Sequence, residues 1–405
     1  MRFVTPSGRA TWLGYGMNVH PGGDADAIEH AVDETVVPLL ARLGARGPFG
    51  VALRLDRRGA EELARDARRR ERLRRTLATH ELVPFTVNAF VAGAFQEAGV
   101  KAAVYRPPWG DPARTRYTLD VARAMAFLAG RGADVSISTA PLAWRADADG
   151  PALHLAAARA LAEVGRALVL LEEETGARVR VGLEPEPLCA IETTGEAVAF
   201  ARGPLREALA GDEEAAARLG VCYDVCHQAV EWEDPVEGLE ALETAGVPVV
   251  KLQASCALEV SDPASPAARA ALARFDEPRW LHQVIEAGTA PGRPLRRDKD
   301  LPDALARPVA GGGGAPASVP PWRVHFHVPV HRAEAVPPLS TTRPSLERAL
   351  RHVVARGTTS HVEVETYTWD ALPAGARAPT LVESLARELE WVASVLESAG
   401  ARRAS

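Results

Sequence analysis

A short apolar run followed by an Ala-, Leu-, Arg- and Glu-rich stretch recurs about eight times along this chain, and that repeat limits the folds open to it. The apolar runs lie near 12–20, 50–56, 83–90, 134–139, 179–186, 220–227, 249–255, 323–330 and 361–369. Helical patterns lie near 24–43, 60–79, 117–130, 152–174, 195–218, 234–245, 344–356 and 380–399. Strands that alternate with helices are parallel strands joined by crossovers. No glycine-rich phosphate fingerprint follows the first run. A closed TIM-type (β/α)8 barrel is therefore predicted over a doubly wound sheet. Residues 1–405 read as one α/β domain.

Nine runs compete for eight strand places. The segment 256–322 breaks the rhythm with an Ala/Pro-rich stretch, Gly311 to Gly314, and Pro320-Pro321. It is predicted as an insertion between the seventh and last strands, flexible around 303–320. Run 323–330 then returns the chain to the site mouth, and 361–369 closes the barrel. A second long connection, 91–116, carries Lys101, Tyr105, Arg106 and Trp109. It reads either as a loop over the substrate or as a plain packed loop.

Composition excludes several function classes. Net charge is -6, and the arginines Arg65, Arg68, Arg69, Arg70 and Arg72 belong to a helical stretch. No nucleic-acid partner is expected from that pattern. Met1 to Ala10 is polar, and no apolar run is long enough to span a bilayer. A cytoplasmic protein that is not membrane-embedded is expected. Cys189, Cys222, Cys226 and Cys256 read as packed thiols. On an extended strand Cys222 and Cys226 would stand about 13 Å apart, too far to share one zinc.

Side chains at i and i+2 of a strand share a face. In Arg180 to Glu186, Val181 and Leu183 take one parity, while Glu184 and Glu186 take the other. Lys251, Gln253 and Ser255 form the polar parity of the next-but-one run. His325 and His327 share a face, as do His361, Glu363, Glu365 and Tyr367. The first run ends in Asn18-Val19-His20, and the third contains Asn88. Asp224, three residues before His227, reads as a site carboxylate or as the N-cap of the next helix. Active sites of barrels lie at the C-terminal strand ends. An inward carboxylate is costly unless paired or metal-bound. A metal site is predicted, with a charged hydrogen-bond network as the rival. Residues i and i+2 stand about 6.6 Å apart along a strand. Each glutamate pair therefore divides into a ligand and a partner.

The order Leu183-Glu184-Pro185, Tyr223-Asp224-x-x-His227, Leu252-Gln253-Ala254 and a terminal glutamate strand resembles the xylose isomerase-like sugar phosphate isomerase/epimerase superfamily. Its hydroxypyruvate isomerase branch is similar in these motifs. The resemblance implies metal ligands at Glu184, Asp224, Gln253 and a glutamate of the last strand. Glu365 is preferred to Glu363 because it lies nearer the C-terminal end. Longer stretches extend the likeness: Asn18 to Gly22, Leu183 to Pro187, Leu281 to Val284, Trp322 to Pro329 and Glu363 to Trp369. By these the chain resembles the metabolite traffic protein EboE family. That family implies an operon with a UbiA-type prenyltransferase and a link to export of secondary-metabolite precursors. The 256–322 insertion and the double-histidine strand depart from simpler isomerases.

A divalent ion (Mn2+, Mg2+ or Zn2+) would then grip a hydroxy-carbonyl metabolite for enediolate chemistry. Glu186, Glu363 and His227 are the expected acid–base groups. Asn18, His20, Asn88, His325 and His327 are the expected substrate-binding groups. A non-catalytic metabolite carrier that hands its cargo to membrane proteins of the same operon is the alternative. Phosphodiester cleavage of the kind DNA-repair endonucleases perform on this barrel is disfavoured by the net acidity.

Overall fold

Eight parallel strands follow one another around a closed barrel, and a crossover follows each. They are β1 (Ala10–Tyr15), β2 (Phe49–Arg54), β3 (Leu82–Asn88), β4 (Asp134–Thr139), β5 (Arg178–Leu183), β6 (Leu219–Asp224), β7 (Val249–Ala254) and β8 (His361–Val364). The computed structural model describes residues 1–93, 95–288, 296–308 and 319–404. β8 pairs in parallel with both β7 and β1. A parallel bridge from Gly16 to Ala52 brings β1 beside β2 and closes the ring. That approach leaves no room for a side chain: a Cβ on Gly14 would stand 2.5 Å from the Gly50 carbonyl oxygen. Outside the ring, Arg2–Val4 pairs antiparallel with β1 and with Arg402–Arg403.

The crossovers follow the helical patterns of the sequence. Pro112–Ala129 and Pro151–Thr175 carry those after β3 and β4, and Arg343–Arg356 and Leu381–Ser398 flank β8. Local signals set their starts. Asp111 accepts from the Ala113 N–H, and Thr193 and Glu196 form a reciprocal capping box. Apolar residues from strands and helices merge into one large core. Among the described residues, no helix is long and apolar enough to cross a membrane.

Most of the runs end sooner than their patterns suggest, three of them with consequences for the residues that follow. The first stops at Tyr15 and continues as a 3-10 turn, Met17–Val19. Run 220–227 stops at Asp224, where helix Val225–Val230 begins at once. Cys226 and His227 therefore sit on a helical turn, so the extended-strand distance between Cys222 and Cys226 does not apply. All four cysteines are buried and free. Run 323–330 is a strand only over Trp322–Val324, and His325 and His327 lie beyond it. It is also no barrel strand, because the eight-stranded ring is already hydrogen-bonded on every side.

The ninth run belongs to a second sheet. Trp322–Val324 pairs antiparallel with Val284–Glu286 and Leu258–Val260. Arg297–Asp298 and Ser340–Thr341 complete five strands. The insertion after β7 is thus a small antiparallel sheet with its own buried residues. Within the stretch expected to be flexible, Leu301–Ala306 is a helix, while 309–318, with the four consecutive glycines, lie outside the described residues.

One buried carboxyl ties this insertion to the end of β8. Glu388, on Leu381–Ser398, accepts from Thr366 Oγ1 at 2.6 Å and from the Val330 N–H at 3.1 Å. Burial pushes its pKa up to about 7. A folded-state value above the unfolded one means a contribution present at low pH and lost as pH rises through about 7. Glu388→Gln should therefore flatten the pH dependence of stability between about 5 and 8. Relative to wild type it should gain up to about 3 kcal/mol across that window, as read by urea unfolding at each pH.

Candidate metal centre and active site

Strand ends from both halves of the ring converge on one chamber. Glu184 follows β5, and its N–H still donates to Thr139 O at 3.0 Å. Asp224 ends β6. Glu365 follows β8, with its N–H on Ala254 O at 3.1 Å. Each of these three carboxylates brings an oxygen within 4.8 Å of the others'. All three are nearly or fully buried.

Their hydrogen bonds are one-sided. Asp224 Oδ1 accepts from the His227 N–H at 2.8 Å and from Ser255 Oγ at 2.9 Å. The carboxylate is thus an N-cap and a site group together, one oxygen for each task. Glu365 Oε1 accepts from Asn18 Nδ2 at 2.6 Å and from Asn88 Nδ2 at 3.1 Å. Asp224 Oδ2, Glu365 Oε2 and Glu184 Oε2 have no partner among the described residues. His327 enters beside them from the insertion. Its Nδ1 faces the Glu365 carbonyl at 2.8 Å, which puts the proton there and leaves a lone pair on Nε2. That Nε2 is also buried without a partner. Asp224, His227 and His327 form a second group within the same 4.8 Å spread.

Charge sharpens the geometry. Burial first, then the neighbouring carboxylate of Asp224, holds Glu184 well above the usual carboxylate range. Burial, Glu184 and Asp224 do the same to Glu365. Burial also opposes ionisation of Asp224, but His227, His327, the His227 N–H and a proton shared from the Glu365 carboxyl outweigh it and bring its pKa down. Like charges packed in a dry site cannot all ionise without a counter-charge. Lys251 supplies only part of it, its charge favouring the ionised forms of Glu184 and Glu365. Its Nζ is bonded to Glu363 Oε2, and both side chains are fully buried.

The opposite wall carries a hydrogen-bonded chain. Tyr105 donates to Glu186 Oε1 at 2.6 Å. Gln283 Nε2 donates to the Tyr105 hydroxyl at 3.1 Å, and Gln283 Oε1 faces His325 Nδ1 at 2.7 Å. His325 Nε2 stands 3.1 Å from His227 Nε2. Burial lifts Glu186 to about 8 and lowers His227 to about 4.

The chamber between these walls is small, with a volume of about 50 Å³. Of the residues expected from the sequence, Asn18, Asn88, Glu184, Glu186, His227, His325, His327 and Glu365 line it. Asp224 sits directly behind. His20 is turned elsewhere, with Nε2 on the Tyr15 hydroxyl at 3.0 Å, in a separate small depression. Glu363 lies one layer deeper, on Lys251. Gln253 is fully buried in register with Asp224 and Glu363, but its Oε1 accepts from the Cys222 thiol at 3.0 Å. Its free Nε2 is a donor and does not bind cations. In the connection 91–116, Trp109 packs in the core, and Lys101 and Tyr105 line the chamber. Gln283 carried no chemical signal of its own in the sequence. Only folding of the insertion brings it to the wall.

Solved structures of similar architecture cover nearly all of the chain. One is a protein from Anabaena variabilis described as a sugar phosphate isomerase/epimerase, 11% identical, with a TM-score of 0.51 over 96% of this chain and 99% of that one. Another is a xylose isomerase-like TIM barrel protein from Mycobacterium smegmatis in complex with magnesium, 14% identical, with a TM-score of 0.50 over 96% and 97%. The fold is that of the xylose isomerase-like TIM barrels. No family model matches the sequence, and no curated protein matches it. The insertion after β7 supplies His325 and His327.

The Lys251–Glu363 pair beneath the carboxylates is testable by itself. Lys251→Met leaves a buried carboxylate without its cation and should cost about 3–5 kcal/mol in chemical denaturation. Adding Glu363→Gln to that variant should recover most of the loss.

Proposed function

We propose that this protein is a divalent-metal-dependent isomerase or epimerase acting on a small hydroxy-carbonyl metabolite of the sugar or sugar phosphate class. One observation carries the reading: the carboxylates of Glu184, Asp224 and Glu365 lie within 4.8 Å of one another at the strand ends, each with a buried oxygen that accepts no hydrogen bond from the described residues, and His327, within the same distance of Asp224, has a buried and unpartnered Nε2. The three carboxylates lie close enough together to share one divalent ion. Glu184, Asp224 and Glu365 would hold the ion, with His327 as the fourth donor in place of Gln253. The oxygen-rich set suits Mn2+ or Mg2+, and the imidazole moves it toward Zn2+. A divalent ion there would supply the positive charge that stabilises the enediolate form of the substrate.

The chain's own residues do the rest. Asn18 and Asn88 fix the Glu365 carboxylate by holding one oxygen. Ser255 and the His227 N–H do the same for Asp224. Glu186, held by Tyr105 and lifted to about 8, is the carboxyl placed to take and return a proton at near-neutral pH. His227 is the second titratable group on that wall. Glu363 is given a supporting role, since Lys251 engages it away from the chamber. Lys101, Phe95 and Trp280 narrow the mouth and limit water.

The biological setting we propose is the EboE-type one, a cytoplasmic step that readies a secondary-metabolite precursor for membrane partners. The stretches Leu183 to Pro187 and Trp322 to Pro329 support it, because both carry chamber residues.

As purified, the protein should contain a divalent metal. Glu184→Ala and Asp224→Ala should each lower the content of the carboxylate centre at least tenfold by elemental analysis. Full retention in both would sink the ligand set. In deuterated water, candidate ketoses or aldoses should exchange the C–H beside the carbonyl, and Glu186→Gln should slow this about 100-fold or more. Tight binding with no exchange into any of them would make the protein a carrier instead.

A further inference from the structure

The two halves of the ring bring opposite charge to the chamber. Glu184, Asp224 and Glu365 stand at the ends of β5, β6 and β8. β2 ends instead in a basic residue, Arg54. Its side chain lines the chamber, and the residue is only 4% exposed. Nη1 donates to the Gly22 carbonyl, and Nη2 donates to the Gly93 carbonyl at 2.9 Å. A guanidinium has five N–H groups. The other three have no acceptor among the described residues, and no carboxylate there forms an ion pair with Arg54. Asp56, the nearest acid along the chain, caps the next helix through the Gly59 N–H at 2.8 Å. Lys101 also lines the chamber, but it is already paired with Asp300 at 2.7 Å. Arg54 is thus a buried cation held by neutral carbonyls alone. A buried charge without a counter-charge is costly.

Its neighbours tie it to the carboxylate centre. The guanidinium carbon lies 5.7 Å from the centre of the Phe95 ring, which lines the chamber too. In the strand register Arg54 is opposite Asn88, whose amide donates to Glu365 Oε1 at 3.1 Å. Arg54 is therefore one strand away from a group that fixes Glu365. We propose that Arg54 is an anion subsite: it receives a carboxylate or phosphate at one end of the substrate, whose hydroxy-carbonyl end lies at Glu184, Asp224 and Glu365. The planar guanidinium fork matches the oxygens of either group and binds them through charge-assisted hydrogen bonds. The counter-charge missing at the end of β2 comes with the ligand. Gly22 and Gly93 hold the guanidinium in place before the anion arrives, which lowers the ordering cost of binding. Arg54 is then a specificity residue that selects acidic or phosphorylated sugars over neutral ones. This role rests on the function proposed above and narrows its substrate class to anions.

D-fructose, D-fructose 6-phosphate and D-fructuronate differ only at the terminal carbon, so they isolate the anion. Calorimetric titration of the full-length protein, as purified, reads their dissociation constants. Wild type should bind at least one of the two anions about tenfold or more tighter than D-fructose. The tighter of the two tells phosphate from carboxylate. Arg54→Met should bring the ratio of anionic to neutral affinity close to one. Arg54→Lys keeps the charge without the fork and should retain part of the ratio. Circular dichroism checks the fold of both variants. A residue that only ties Gly22 to Gly93 would weaken all three probes together and leave the ratio unchanged, and that result overturns the proposal. So does a wild type with no preference for either anion, an arm that needs no variant to fold. Deuterium exchange separates the subsite from the function it rests on. Anion preference without exchange keeps the Arg54 subsite and makes the protein a carrier. Exchange without anion preference keeps the isomerase and overturns the subsite.

Discussion

Three carboxylates share a dry chamber, and the cation nearest to them is already engaged. Glu184, Asp224 and Glu365 stand together at the strand ends, while Lys251 is held by Glu363 one layer below. An uncompensated buried charge costs several kcal/mol. Three of them would weigh heavily against a fold whose net stability is of order 5–15 kcal/mol. The barrel therefore has to hold these groups rigidly and leave space for a counter-charge. Asn18, Asn88, Ser255 and the first turn of Val225–Val230 do the holding, each on one oxygen only. The oxygens left free share a common space, which is the pattern of a cation site more than of a closed hydrogen-bond network.

The insertion after β7 answers a second constraint. An open barrel mouth would leave polar groups wet and electrostatics weak. Here the insertion with its five-stranded sheet contributes His325 and His327 to the wall, and Gln283 supports His325 from behind. Its placement depends on a few buried polar links. Glu388 joins Val330 to Thr366, and Thr368 donates to the His327 carbonyl. These contacts couple the insertion to β8, the strand that leads into Glu365. The histidines and the carboxylates are thus positioned by one another's elements.

Much of this was legible before any coordinates. The alternation of apolar and helical stretches is a local signal, and it places all eight barrel strands and their crossovers to within a few residues. Period-two parity marks Glu184, Glu365 and the polar face of β7. Its failures have a common cause. Parity holds only while the backbone stays extended, and the chain leaves the strand at Tyr15, Asp224 and Val324. Beyond those points His20 turns toward Tyr15, His227 joins a helical turn, and His325 and His327 lose strand spacing without leaving the chamber.

The chamber's donors illustrate the division between sequence and tertiary structure. The sequence alone determined a barrel, the strand-end location of its polar residues, and inward-facing carboxylates at Glu184 and in the Glu363–Glu365 pair. Those follow from periodicity and from the cost of burying charge, both of which act over a few residues. Tertiary structure alone decided that the ninth run lies outside the ring, that Gln253 is turned to Cys222, and that Glu363 belongs to Lys251. It also decided that His327 and the His227–His325 pair meet the carboxylates. Those contacts join residues about 30 to more than 100 positions apart. Which of several inward polar groups pair with each other is a matter of distance in the folded chain, and no local pattern encodes it.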